Sequence, residues 1–229
     1  MVEALTTTYQ RSQVEQAIAR VEGLALVGGA VPTALRSNVK RLLDIDRKPR
    51  AKKLDAAPEC LAFYDQSEAP GHGVDVLYRP YHAFALLIGI RLIASGMPQS
   101  RAVMLLRALR DDLEPTFEGL ASTSPSDLRP GLTEAEVTQL ARNGYLLHNP
   151  KTMTFLIARA GPDAEALLVP RPDRREFVTG NVCTYDDFKD RLRFFSHEGQ
   201  AVTVVELTNA IFKLLYVLPR TIQRRRGRH

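Results

Sequence analysis

From Tyr81 to Ala94 the chain is apolar except for His82, Gly89 and Arg91, and the run is bounded by Pro80 before it and Gly96 after it. A membrane-spanning helix needs about 20 predominantly apolar residues. This stretch is shorter and carries a charge, so it predicts a helix of a protein core and excludes an integral membrane protein. Pro98 then opens another helical segment. Val103, Leu105, Leu106 and Leu109 are expected to face inward, with Arg101, Arg107, Arg110 and Asp111 outward. Two helices so closely connected predict an antiparallel pair. With 229 residues, 45% of them apolar, the chain has enough material for a sizeable core. Cys60 and Cys183 do not supply a secreted disulfide framework, and Met1 to Thr6 has neither a basic nor an apolar leader region. The expected location is the cytoplasm.

Elsewhere the spacing predicts further helices and some short strands. Ser12 and Glu15 form a capping-box pattern, followed at helical spacing by Val14, Ala17, Ile18 and Val21 up to Gly23. A connection through Gly28 and Gly29 leads to a second helix, from Pro32 to about Asp46, with Leu35, Val39, Leu42 and Leu43 inward. Arg47 to Pro58 reads as an exposed connection. Leu61 to Tyr64 and Val74 to Tyr78 are β-prone and predict a hairpin with a long tip. Prolines, glycines and serines between Glu114 and Leu132 mark a domain boundary.

Beyond that boundary, Thr133 and Glu136 form a second capping box, for a helix ending at Gly144. Met153 to Ala158 and Ala166 to Val169 predict strands across a turn at Gly161-Pro162, and Tyr185 to Phe195 predicts a helix preceded by Thr184. The last helix is expected from Val204 to Leu218, with a stripe of Val204, Leu207, Ile211, Leu214 and Leu218. The fold class is therefore α+β. A mainly helical domain spans 1–114, a linker 115–132, a smaller α+β domain 133–219, and a basic, disordered tail 220–229.

Charge placement points to a partner. Arg36 to Lys53 carries eight basic residues against Asp44 and Asp46, and Arg220 to His229 carries five arginines and no acid. The overall charge is only +5, so the rest of the chain is net acidic. Concentrated positive charge selects polyanions, either nucleic acid or an anionic membrane surface. A solvated helix face and a plain basic end account for the same residues without any partner. Arginine pairs bidentately with guanine and asparagine with adenine, and Arg36, Ser37, Asn38, Lys40 and Arg41 lie on the polar side of the second helix. Lys48, Arg50, Lys52 and Lys53 would neutralise phosphates without reading sequence.

A basic helix, then a hairpin, then Tyr78-Arg79-Pro80-Tyr81, a helix and Gly96-Met97 at the next helix boundary resembles the MerR-type winged helix-turn-helix over roughly Pro32 to Arg110. Leu35-Arg36 stands where that family carries Leu-Arg, while Ser37 and Asn38 replace the two tyrosines that usually follow. The resemblance implies duplex DNA binding by a transcription regulator, with the second helix in the major groove. It also implies that Arg79 and Tyr81 contact phosphates.

Other chemistries fit the sequence less well. Cys60, His72, His82, Cys183 and His197 lack metal-ligand spacing, so no metal and no cofactor is expected. Gly28-Gly29 lacks the rest of a phosphate-binding loop, and no nucleophile motif is present, so no catalytic residue is assigned. Asp186, Asp187 and Asp190 are explained by the dipole of the helix they open. The terminal stripe, Val204 to Leu218, predicts either core burial or a homodimer seam, the latter suiting a regulator with two half-sites. With the basic tail, Phe212, Leu214, Leu215 and Tyr216 alternatively suit a peripheral membrane protein. An adaptor using its basic segments on RNA or protein is the remaining reading.

Overall fold

The computed structural model describes residues 5–47, 61–65, 76–123, 133, 135–136, 139, 153–159, 170–171, 174–177, 180–195 and 202–222. In chain order these form β1 (Tyr9–Gln10), α1 (Arg11–Val21), α2 (Thr33–Asp46), β2 (Leu77–Tyr78), α3 (Pro80–Ala94), α4 (Gln99–Ala108) and α5 (Arg110–Ser122). There follow β3 (Thr154–Arg159), β4 (Pro170–Arg171), β5 (Arg174–Phe177), β6 (Gly180–Thr184), α6 (Tyr185–Phe195), β7 (Val202–Glu206) and α7 (Thr208–Val217). A 3₁₀ turn, Leu218–Arg220, closes the described chain's last helix. The α+β class holds.

The apolar run becomes α3, buried along nearly its whole length and touched by α1, α2, α4, α5, α7 and β7. A helix apolar on all sides has no face to give to water, so it takes the centre. Its close fit shows at Gly89, where a Cβ would stand 3.0 Å from Leu42 Cδ1 of α2 and 3.4 Å from Leu106 Cδ1 of α4. Between α1 and α2 the chain reverses at Gly28 and Gly29, with φ of 57° and 73°, under an isolated Val27–Ala30 bridge. Two consecutive left-handed residues suit glycine because it has no Cβ to clash.

The capping of α1 differs in detail from the expected box. The Gln10 amide donates to Gln13 Oε1 at 3.0 Å, so the helix opens just before Ser12. Thr133 and Glu136 make their expected reciprocal bonds, Thr133 N to Glu136 Oε2 at 2.8 Å and Glu136 N to Thr133 Oγ1 at 3.3 Å. Gly144 and the turn at Gly161-Pro162 lie outside the described residues.

The expected hairpin of Leu61–Tyr64 with Val74–Tyr78 is not formed. Leu61–Asp65 has no strand pairing, and β2 instead pairs antiparallel with β1, Tyr9 opposite Tyr78 and Gln10 opposite Leu77. β3 likewise pairs with β6 and β7 in a three-stranded antiparallel sheet of order β6–β3–β7. Leu156, Ala158 and Val205 on one face of that sheet join the helical core, while Phe155 and Ile157 on the other meet Phe188 of α6. The rings of Phe155 and Phe188 stand 4.9 Å apart.

Two boundary expectations change. α5 runs through Glu114 and Pro115 to Ser122, with Leu113, Phe117 and Ala121 buried, so the start of the expected linker is a core helix. Val204 belongs to β7 and is 41% exposed, whereas Leu207, Ile211, Leu214 and Leu218 are buried in the same core as α1, α3 and α5. That stripe is consumed within one chain, which removes the homodimer seam through Val204–Leu218. Of the four residues of the membrane-surface reading, Leu214 is buried, while Phe212, Leu215 and Tyr216 stay partly exposed. No described helix is long and apolar enough to cross a membrane.

Candidate nucleic-acid interface

α2 turns Leu35, Val39, Leu42 and Leu43 into the core, and the 3.6-residue period therefore carries Arg36, Lys40 and Arg41 to the surface. The Arg36 side chain is 61% exposed, and its nearest acid, Glu15 of α1, lies 4.0 Å from Nε. Arg11 Nη2 donates to the Arg36 carbonyl at 3.3 Å, fixing α1 beside this face. Among the described residues neither Lys40 nor Arg41 has an ion-pair partner. Ser37 and Asn38 are half-buried, and Asn38 Oδ1 accepts from Gln99 Nε2 of α4 at 3.5 Å. The expected site residues Lys48, Arg50, Lys52 and Lys53 lie outside the described residues.

The acids that would mask this face behave differently from one another. Asp44 is half-exposed, but Asp46 is fully buried. Its Oδ1 accepts from Arg107 Nε at 2.7 Å and Ala62 N at 3.2 Å, and its Oδ2 accepts from Phe63 N at 2.9 Å. A carboxylate so completely paired is turned away from the basic surface. Arg107 and Arg110, expected outward, point inward. Arg110 Nη1 donates to the carbonyls of Leu61 and Tyr64, and its Nε donates to Glu114 Oε2 at 3.0 Å. The β-prone segment Leu61–Tyr64 thus satisfies its buried backbone groups with charged side chains rather than with a partner strand.

Arg79 and Tyr81, expected at phosphates, belong to this internal network. Arg79 donates from Nε to Asp65 Oδ2 at 3.0 Å and from Nη2 to Asp65 Oδ1 and to Glu114 Oε1, the last at 2.7 Å. Burial alone would lower its pKa, yet the Asp65 and Glu114 carboxylates hold it above the usual value. Tyr81 is 3% exposed, its ring 5.4 Å from the Arg110 guanidinium carbon, and burial pushes its hydroxyl pKa up. Neither residue is presented to a duplex, which corrects the contacts implied by the Tyr-Arg-x-Tyr pattern. An i, i+4 Arg110–Glu114 pair was the one sequence signal for this network.

His82 closes the cluster. Its Nδ1 accepts from Arg79 N at 3.2 Å, so the neutral ring carries its proton on Nε2, 3.2 Å from Asp65 Oδ1. That separation is within ion-pair range, but the alignment falls short of a well-formed hydrogen bond. Burial lowers the imidazole pKa to about 4, and the neighbouring Asp65 opposes that shift. At neutral pH the imidazole is uncharged and locks the Arg79 backbone amide.

Among the described residues no three His, Cys, Asp or Glu side chains are grouped to hold a metal. Cys60, His72 and His197 are outside that description, and Cys183 is a buried thiol whose pKa burial pushes up to about 11. Thr184 Oγ1 donates to Asp187 Oδ2 at 3.0 Å ahead of α6, a side-chain bond rather than a bond to a first-turn backbone amide. Comparison with family models, with curated proteins and with solved structures gave no match.

Proposed function

We propose that the chain binds duplex DNA through the helix pair α1–α2, with the exposed face of α2 in the major groove, and acts as a transcription regulator. The observation that carries this reading is the inward turn of Asp46. It leaves Arg36, Lys40 and Arg41 on one exposed helix face with Asp44 as the remaining acid of α2, while Asp46 is spent on Arg107 and two backbone amides. Arg36 is suited to the O6 and N7 edge of guanine, and Lys40 and Arg41 to flanking phosphates. The β1–β2 ribbon, which contacts α1, takes the part of the wing, with Leu77 half-exposed at its edge. In this reading the ribbon replaces the wing hairpin that the sequence pattern implied and that is not formed. Arg79 and Tyr81 have no part in it.

The test is a duplex titration with the full chain and with the triple variant Arg36→Gln, Lys40→Gln, Arg41→Gln. Three lost phosphate or base contacts should flatten the log K against log salt slope by about 2–3 and weaken binding at least tenfold at about 0.1 M salt. The thermal transition should be unchanged, because all three side chains are at the surface. An unchanged affinity in a folded triple variant would refute the assignment.

A further inference from the structure

More donors converge on Asp65 than its carboxylate can serve. Arg79 binds both of its oxygens, from Nε to Oδ2 at 3.0 Å and from Nη2 to Oδ1. Oδ1 is also approached by His82 Nε2 at 3.2 Å and by Arg110 Nη2 at 3.7 Å. One carboxylate oxygen has about two lone pairs, so three donors exceed its capacity. Arg79 takes the close position and Arg110 stays beyond hydrogen-bond reach. Among the described residues His82 Nε2 has no hydrogen-bond partner, and neither has the hydroxyl of Tyr81, the preceding residue. His82 and Tyr81 are 2% and 3% exposed, so bulk water does not serve either atom, and a buried donor left unbonded is costly. The Tyr81 ring lies 5.8 Å from the His82 ring and 5.4 Å from the Arg110 guanidinium carbon, and the charges of Arg110, Glu114 and Arg79 act on its hydroxyl.

Arg79 and Arg110 are balanced in this cluster by Asp65 and Glu114. Glu114 is held by both arginines, 2.7 Å from Arg79 Nη2 and 3.0 Å from Arg110 Nε. Asp65 is the exposed member, its side chain 50% accessible. Rotating that side chain into water leaves a net positive charge at the start of α3, where the helix dipole also favours an anion. We infer that this is an oxyanion site occupied by the protein's own Asp65, and that its ligand is the phosphate monoester of a small molecule, which displaces Asp65 and accepts from Arg79, His82, Arg110 and Tyr81. A free carboxylate would repeat the bonds of Asp65 without the advantage of being tethered to the chain, so it does not displace it. A phosphate monoester carries about two negative charges and three strong acceptor oxygens near pH 7, enough for the donors that crowd Oδ1. A phosphodiester offers no more charge than Asp65 itself, which sets the duplex backbone aside as the ligand. The site is separate from the exposed face of α2 and does not depend on what that face binds.

The test is a titration of the full chain with inorganic phosphate at matched ionic strength, following the His82 imidazole by NMR, with acetate and dimethyl phosphate as controls. Asp65→Asn removes the resident anion and should bind phosphate about ten- to a hundredfold more tightly than the native chain. Acetate and dimethyl phosphate should stay at least about tenfold weaker than phosphate on either chain. Adding Arg79→Gln to Asp65→Asn should weaken phosphate binding at least about tenfold. Tyr81→Phe deletes a hydroxyl that has no partner, so the thermal transition should not fall, while phosphate affinity should drop about threefold to tenfold. Equal phosphate affinity in the native and Asp65→Asn chains, or no effect of the added Arg79→Gln, would place the anion elsewhere and overturn the site. No phosphate binding by a folded Asp65→Asn chain would make the cluster purely structural, and binding by that variant but not by the native chain would show that Asp65 is not displaced. Dimethyl phosphate binding as tightly as phosphate would refute the monoester, and an unchanged affinity in Tyr81→Phe would refute the place given to its hydroxyl.

Discussion

Arg36 and Arg41 on α2 and Arg107 and Arg110 on α4 and α5 are the same residue type on amphipathic helices, and they end in opposite places. The first two sit at the surface of a basic face, whereas the second two are drawn inward by Asp46, Glu114 and the carbonyls of Leu61 and Tyr64. Arginine goes inside only where an acid and backbone acceptors already wait for its fixed fork of donors, because an unpaired buried charge is too costly. The local field around α2 therefore depends less on how many basic residues the segment holds than on which acids have left it. Asp46 is the residue that divides the two regions.

Breaking that division at its centre should give the largest effect. Asp46→Ala strands Arg107 and the amides of Ala62 and Phe63, with an expected loss of about 3–5 kcal/mol in urea unfolding. A loss under about 1 kcal/mol would mean the inner cluster does not hold the fold. The next effect follows from pH. The folded His82 pKa of about 4 lies below the ordinary value of 6.5, so the unfolded chain takes up its proton first. The stability that depends on neutral His82 is complete above pH 6.5 and is lost as pH falls toward 4, by about 3 kcal/mol in all. His82→Gln should flatten that part of the pH profile of unfolding, and a profile identical to that of the native chain would show that the ring is not the titrating lock.

A smaller change sharpens the comparison at its edge. Arg79 is one-third exposed and its partner Asp65 half-exposed, so Arg79→Gln should cost about 1 kcal/mol, screened by solvent, and leave DNA affinity unaltered. Reduced affinity with unaltered stability would return Arg79 to the interface. The smallest stability effect belongs to Lys40→Ala, within about 0.5 kcal/mol of native in the same unfolding measurement, as expected of an exposed side chain among solvated neighbours.

The elements differ in how legible they were. α2 and α6 match their periodic patterns to within a residue or so, since a helix bonds to itself and a proline, a threonine or a gap in the apolar spacing marks its ends locally. The segment at Val204 was read as the first turn of a helix but forms β7, because its apolar positions also suit an alternating strand and β3 was there to pair with it. Leu61–Tyr64 had strand propensity without a strand partner, and buried charges took the partner's place. In the candidate interface the basic face of α2 was readable from spacing, while the removal of Asp46 from it was not.

By itself the sequence determined most of the helices, α5 excepted, the centrality of α3 and the polarity of α2, all consequences of residue order over one or two turns. Tertiary structure alone decided that β2 would pair with β1, that the stripe of α7 would be spent inside the core, and which arginines would be buried. Those outcomes depend on contacts between residues far apart in the chain, as in Asp46 with Arg107 or Gln16 with Ile222, and such a contact forms only where the packing of the intervening elements brings both partners to one place.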